Sequence, residues 1–124
     1  MRRIILALIA TFTLALTPHS PVFVESDAAN PITVNSGEEF FIALSSNVST
    51  GYSWTQTMTS DQVVAYEGNV RRPADQATPG APGEQIFIYH ANRSGTATIV
   101  LTYTRAFEPD APPAKTLTYT VNVP

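Results

Sequence analysis

An all-β chain is predicted, folded as an immunoglobulin-like antiparallel β-sandwich without disulfides and preceded by a signal peptide. Three observations predict it. Apolar and polar residues alternate along much of the chain, in runs rich in threonine, β-branched and aromatic residues, and no stretch has a convincing helical period. Glycine-, asparagine- and proline-containing turn signals separate these runs at short intervals, as in a sandwich of short strands. Finally, Met1-Arg2-Arg3 and the apolar run from Ile4 to Leu16 have the order of a secretory leader, too short to span a bilayer, which takes about 20 apolar residues.

Length and composition narrow the reading. At 124 residues there is room for one domain. Residues 1–20 are assigned to the leader, 21–29 to an N-terminal segment and 30–124 to the sandwich. The chain has no cysteine, which excludes disulfides, thiolate metal sites and lipoprotein attachment. A secreted domain of this size must hold together by its core alone. Cleaving the leader removes two of the 7 basic residues, leaving 5 against 10 acidic ones, a formal charge of −5. With no basic stripe, neither nucleic acid nor, after cleavage, a membrane is an expected partner. A secreted or periplasmic monomer without cofactors is expected.

Two short strands, Val22 to Glu25 and Ile32 to Val34, flank a turn-like Asp27 to Pro31. After the turn Asn35-Ser36-Gly37, Glu38 to Leu44 sets Phe40, Ile42 and Leu44 on one face. Tyr52 to Thr57 follows, then a weaker strand from Val63 to Glu67. Gln85 to Ala91 ends at the turn Asn92-Arg93-Ser94-Gly95. Thr96 to Thr104 and Lys115 to Val123 each carry one apolar and one threonine-rich face.

Two connections exceed a hairpin, Gly68 to Gly83 and Arg105 to Ala114, and six of the 10 prolines lie in them. Proline stiffens and extends a loop, and long loops in a compact domain tend to be functional. If strands alternate in direction, the connections at Ser45–Gly51, Gly68–Gly83 and Arg105–Ala114 all reach the same end. The two short ones, near Met58–Gln62 and Asn92–Gly95, reach the other. The pattern describes a binding edge with three elaborate loops.

The first loop, Asn47-Val48-Ser49-Thr50-Gly51-Tyr52, is narrow and polar. Asn47 can bond its own backbone, Gly51 supplies a positive φ, and Tyr52 and Trp54 share one side of the next strand as core supports. This stretch resembles the Asn-Pro-Thr-Thr-Gly-Tyr loop of the chagasin-like inhibitors of papain-type cysteine proteases, including the tryptophan two residues later. Gly80-Ala81-Pro82-Gly83 is similar to the family's Gly-x-Gly-Gly motif, with proline at the third place removing an amide hydrogen. Arg105-Ala106-Phe107 stands where the family has Arg-Pro-Trp. The resemblance runs from about Asn30 to Val123.

That resemblance implies inhibition by occlusion of the active-site cleft, with a papain-like, cathepsin L-type protease as partner. The first loop would enter the cleft with Ser49 at the position facing the catalytic cysteine–histidine pair, flanked by Val48 and Thr50. The second loop would follow the non-primed side, and Arg105 and Phe107 would brace the primed side.

Catalysis finds little support. His19 lies in or beside the leader, His90 sits alone in a strand, and Glu38 and Glu39 point to opposite faces. Arg71-Arg72 reads as a solvated pair, and Arg105 next to Glu108 as an exposed ion pair. The alternative reading is a secreted immunoglobulin-like module binding another protein or, through solvent-facing aromatics, a carbohydrate. Asn47-Val48-Ser49 and Asn92-Arg93-Ser94 both fit the N-glycosylation pattern, and a glycan on Asn47 would block a plug.

Overall fold

The computed structural model describes residues 20–73 and 81–124. The leader up to residue 19 and Gly80 of the second loop lie outside them. Eight strands follow in order: β1 Val22–Phe23, β2 Ile32–Thr33, β3 Glu39–Ser46, β4 Tyr52–Met58, β5 Val64–Arg72, β6 Gly83–Ala91, β7 Gly95–Arg105 and β8 Lys115–Val123. They form two four-stranded sheets, β1-β3-β6-β5 and β2-β8-β7-β4.

Alternation puts one side of each strand into a common core. Phe40, Ile42 and Leu44 of β3 meet Phe87 and Tyr89 of β6, and opposite them lie Trp54, Ile99, Leu101, Tyr119 and Val121. Phe40 stacks on Tyr89 with ring centroids 5.2 Å apart, and Tyr66 packs against the same ring at 5.4 Å. Such offset ring pairs add to plain area burial, in a chain with no disulfide to limit its unfolded state.

Strand direction follows the expected alternation from β3 to β8. Ser46 pairs with Gly83 and Arg72 with Glu84, while Tyr52 pairs with Arg105 and Tyr103 with Lys115. The connections β3–β4, β5–β6 and β7–β8 therefore emerge together at one end of the sandwich. The short connections β4–β5 and β6–β7 lie at the other.

Four details differ from the sequence expectation. The two N-terminal strands are only two residues long, and they pair in parallel with β3 and β8. Between them Glu25–Ala29 forms a 3-10 turn in which the Asp27 carboxylate accepts from the Val24 amide at 2.7 Å. The weak strand expected over Val63 to Glu67 continues to Arg72, which shortens the second long connection to residues 73–82. A bulge makes this possible: Tyr66 pairs with Tyr89 but Gly68 with Ile88, so Glu67 is the extra residue. Gly68 takes φ +125° there, which suits glycine and little else.

The bulge also exchanges faces. Without it Asn69 would oppose the outward Ile86; with it Asn69 opposes Phe87 and turns inward, and Val70 turns out beside Ile86. Val70 thereby joins an apolar groove on the outer face of β1-β3-β6-β5, lined also by Val22, Val24, Phe41, Ala43, Ile86 and Ile88 and bounded by the Arg72–Glu84 ion pair. The threonine-rich outer face expected for the last two strands belongs to the other sheet, where the Thr55 and Thr102 hydroxyls bond at 2.9 Å. Among the described residues, neither outer face carries a row of solvent-facing rings.

Two buried hydroxyls help close the fold. Tyr89 donates to Gln56 Oε1 across the sheets at 3.1 Å, and Tyr119 donates to the Val24 carbonyl at 2.9 Å. Burial pushes both well above the ordinary tyrosine range, aided by Tyr66 and Tyr119 for Tyr89 and by Asp27 and Glu25 for Tyr119. A tyrosine whose pKa is raised on folding stabilises the fold below its unfolded value of about 10, and that contribution is lost as pH climbs beyond it. Melting temperature is accordingly expected to fall steeply above about pH 10. Tyr119→Phe should make that alkaline fall shallower, while costing about 1 kcal/mol at neutral pH for the lost bond to Val24. Thermal melts at neutral and alkaline pH check both effects.

Candidate functional site

The first loop is built from its own polar groups. Asn47 Oδ1 accepts from the Ser49 amide at 3.2 Å and from the Ser49 hydroxyl at 2.6 Å, the self-bonding turn expected of asparagine here. The Asn47 carbonyl accepts from the Thr50 amide at 3.1 Å and from Thr50 Oγ1 at 2.6 Å. Val48–Thr50 thus form a single 3-10 turn. Gly51 leaves it with φ +83°, and the chain enters β4 at Tyr52. The Ser49 and Thr50 side chains stand exposed at the tip.

Beneath the tip lies a stack of rings. Trp54 is buried at 3% exposure, packs against Tyr103 at 4.8 Å and donates its indole N–H to the Ser45 carbonyl at 2.9 Å. Tyr52 also stacks on Tyr103, at 5.0 Å, but is only half-buried, so it caps the core at the loop end. The Tyr103 hydroxyl accepts from the Asn47 amide at 3.1 Å, fixing where the first loop begins.

The third loop braces the first. Arg105 donates through Nε to the Thr50 carbonyl at 3.2 Å, and its guanidinium lies 4.5 Å above the Tyr52 ring and 5.5 Å from that of Phe107. Its Nη1 pairs with Glu108 at 3.0 Å, and that carboxylate lifts the guanidinium pKa above its already high ordinary value. The exposed ion pair expected from the sequence is present, and through Arg105 it is also part of a cross-brace. Phe107, at 68% the most exposed large apolar residue among those described, places its ring against Gly51. Ala106 is exposed beside it.

The second loop meets the first through the sheet. Gly83 opens β6 and pairs with Ser46, the residue before Asn47. Ala81 is half-buried and Pro82 exposed just ahead of it. The fold thus gathers the sequence-predicted residues Asn47, Ser49, Thr50, Gly51, Tyr52, Ala81, Pro82, Gly83, Arg105, Ala106 and Phe107 at one end; Val48 lies in the turn itself.

Two contributors escaped the sequence reading. Tyr103 looked like one more inward residue of an alternating strand, and nothing local marks its hydroxyl as the partner of Asn47. Gln85 is a polar residue at an inward position, buried at 3%. That mismatch with the alternation of β6 was the one signal available.

Comparison with known proteins follows the same outline. The chagasin family peptidase inhibitor I42 pattern matches residues 33–122. Amoebiasin-1 of Entamoeba histolytica is 37% identical over 103 residues, covering 80% of this chain and 95% of that protein. The crystal structure of the cysteine protease inhibitor EhICP2 from Entamoeba histolytica superposes with a TM-score of 0.72 at 25% identity, over 87% of this chain and 100% of that one. PbICP-C, solved in complex with falcipain-2, shares the fold with a TM-score of 0.59 at 17% identity, over 87% and 93% of the two chains.

The brace makes a stability prediction at Gly51. A Cβ there would lie 2.5 Å from Phe107 Cε1 and sit at a positive φ, whereas Gly37, with φ +89°, has nothing within 4 Å. Gly37→Ala should cost about 1 kcal/mol from backbone strain alone. Gly51→Ala should cost about as much, because the ring its methyl would meet belongs to an exposed side chain that can swing aside; a far larger loss in urea unfolding would show that Arg105 pins the Phe107 ring over the loop.

Proposed function

The chain belongs to the chagasin family of peptidase inhibitors, and from that premise we propose that it inhibits papain-like cysteine proteases reversibly and non-covalently, by occluding the catalytic cleft. Its relatives are inhibitors of cysteine proteases and not enzymes. The observation that carries the reading is the loop end itself. A one-turn tip presenting Ser49 and Thr50 is held on both sides, by Asn47 from within and by Arg105 from the third loop.

A papain-like cleft is a slot between two lobes, so whatever enters must be thin. Ser49, Thr50 and Gly51 are small, and the turn consumes the loop's own hydrogen-bonding groups, which prevents it from spreading into a substrate-like strand. Ser49 then faces the catalytic pair, and Gly80 to Gly83 lie on the non-primed side. Ala106 and exposed Phe107 lie on the primed side, with Arg105 acting first on its own loop. A turn that is already ordered loses little conformational entropy on docking. The charged-then-apolar leader supports action in a secreted or periplasmic setting.

Titration of the mature domain against papain and a cathepsin L-type enzyme, followed with a fluorogenic peptide, tests this. Reversible inhibition at one inhibitor per enzyme is expected, and folded domain without inhibition would overturn the proposal. Ser49→Arg with Thr50→Arg should abolish inhibition; the two side-chain bonds to Asn47 that it removes are exposed, so each should cost no more than about 1 kcal/mol of stability. Retained inhibition in that double variant would rule out the plug.

A further inference from the structure

Resting on the inhibitor reading, we infer that Gln85 is a positioning residue that fixes the first loop relative to the second by standing in for a strand that β4 lacks. β4 is the outermost strand of its sheet, so along its free side backbone groups have no ladder partner. At Trp54 that gap is filled from the opposite sheet. Gln85 Oε1 accepts from the Trp54 amide at 3.0 Å, and Gln85 Nε2 donates to the Trp54 carbonyl at 3.0 Å. The side-chain amide makes the two bonds that the opposite residue of an antiparallel neighbour would make, and an amide N–H and a carbonyl permit only one orientation of it.

The remaining proton of Nε2 goes to Asn69 Oδ1 at 3.1 Å, and Asn69 Nδ2 donates in turn to the Tyr66 hydroxyl at 2.9 Å. Asn69 reaches this place only because the Glu67 bulge turns it inward. Every polar atom of the Gln85 amide is thereby satisfied at a site 3% exposed, where losing a partner is costly.

Position gives the clamp its role. Trp54 lies three residues after Gly51, at the exit of the first loop, and Gln85 lies two residues after Gly83, at the exit of the second. At about 3.3 Å per residue, each end of the clamp is within roughly 10 Å of a loop. The β3–β6 pairing at Ser46 and Gly83 joins the start of the first loop to the second; the clamp joins its end. Without the clamp β4 is tied to the opposite sheet only through side chains, the Trp54 indole on Ser45 and Gln56 on Tyr89, and its main chain at the loop exit loses its fixed place in the common frame. Such loosening is expected in the dissociation rate of the protease complex far more than in association.

Gln85→Met keeps the bulk and removes all three bonds. Gln85→Glu keeps the acceptor but turns a carboxylate oxygen against the Trp54 carbonyl, unless it is protonated, when one donor returns. We expect both variants to dissociate from a cathepsin L-type protease about tenfold faster than wild type at neutral pH. For Gln85→Glu the ratio to wild type should recover as pH falls to about 5, because burial favours the neutral acid; for Gln85→Met it should not. A purely space-filling Gln85 predicts wild-type dissociation from both folded variants at every pH, and that result would overturn the inference. Should neither variant fold, as reported by fluorescence of the single tryptophan, Gln85→Asn decides: it keeps an amide but sets it one methylene short of the Trp54 main chain, and unchanged dissociation overturns the clamp. Wild-type domain that fails to inhibit at all is a separate outcome, which overturns the inhibitor reading and the role of Gln85 with it.

Discussion

Trp54 is the point at which the two sheets and the first loop are joined. Its ring is buried against Tyr103, its indole N–H is held by the Ser45 carbonyl of the facing sheet, and its main chain is held by Gln85. A sandwich without disulfides otherwise relies on apolar contact between its layers, which resists sliding only through side-chain interdigitation. Directional bonds at Trp54 add register across the gap, and they do so at the end where the three long connections emerge. Cutting this junction would leave the core largely intact and the loop end adrift.

From this junction outward the loop end is a chain of mutual supports. Tyr103 receives the Asn47 amide, Asn47 closes the turn on Ser49, and the Thr50 carbonyl is held by Arg105, whose guanidinium rests on Tyr52. Each bond is modest by itself, since most are exposed to water. Together they favour one arrangement of the tip, which is what a narrow plug requires. Glu108 completes the arrangement by setting the direction of the guanidinium.

Much of this was readable from the chain because sandwiches write themselves in period two. Phe40, Ile42 and Leu44, or Ala97, Ile99 and Leu101, declare an inward face without knowledge of what they meet. Direction then follows by counting, which brings the three long connections to one end. Asn47 and Gly51 were legible for a similar reason: an asparagine bonding two residues ahead and a glycine at positive φ act within a few residues. What escaped was long-range. The extension of β5 through Gly68-Asn69-Val70-Arg71-Arg72 depends on a bulge against β6, and a glycine followed by polar residues looks like the start of a loop. Arg105 and Phe107 were read as reaching outward to a partner, whereas the fold first turns them onto Thr50 and Gly51, some 55 residues earlier in the chain for the Arg105 bond. The parallel pairing of β1 and β2 and the apolar groove on the outer face of the first sheet likewise arise from neighbours that no local pattern names.

The most direct test of the account is a crystal structure of the mature domain bound to a cathepsin L-type protease. The account predicts the Ser49–Thr50 turn in the cleft beside the catalytic cysteine and histidine, an unmodified thiol, and the bonds from Asn47 to Ser49 and from Arg105 to Thr50 kept as in the free chain. A protease seated on the apolar face formed by Phe41, Val70, Ile86 and Ile88, with its cleft open, would contradict it.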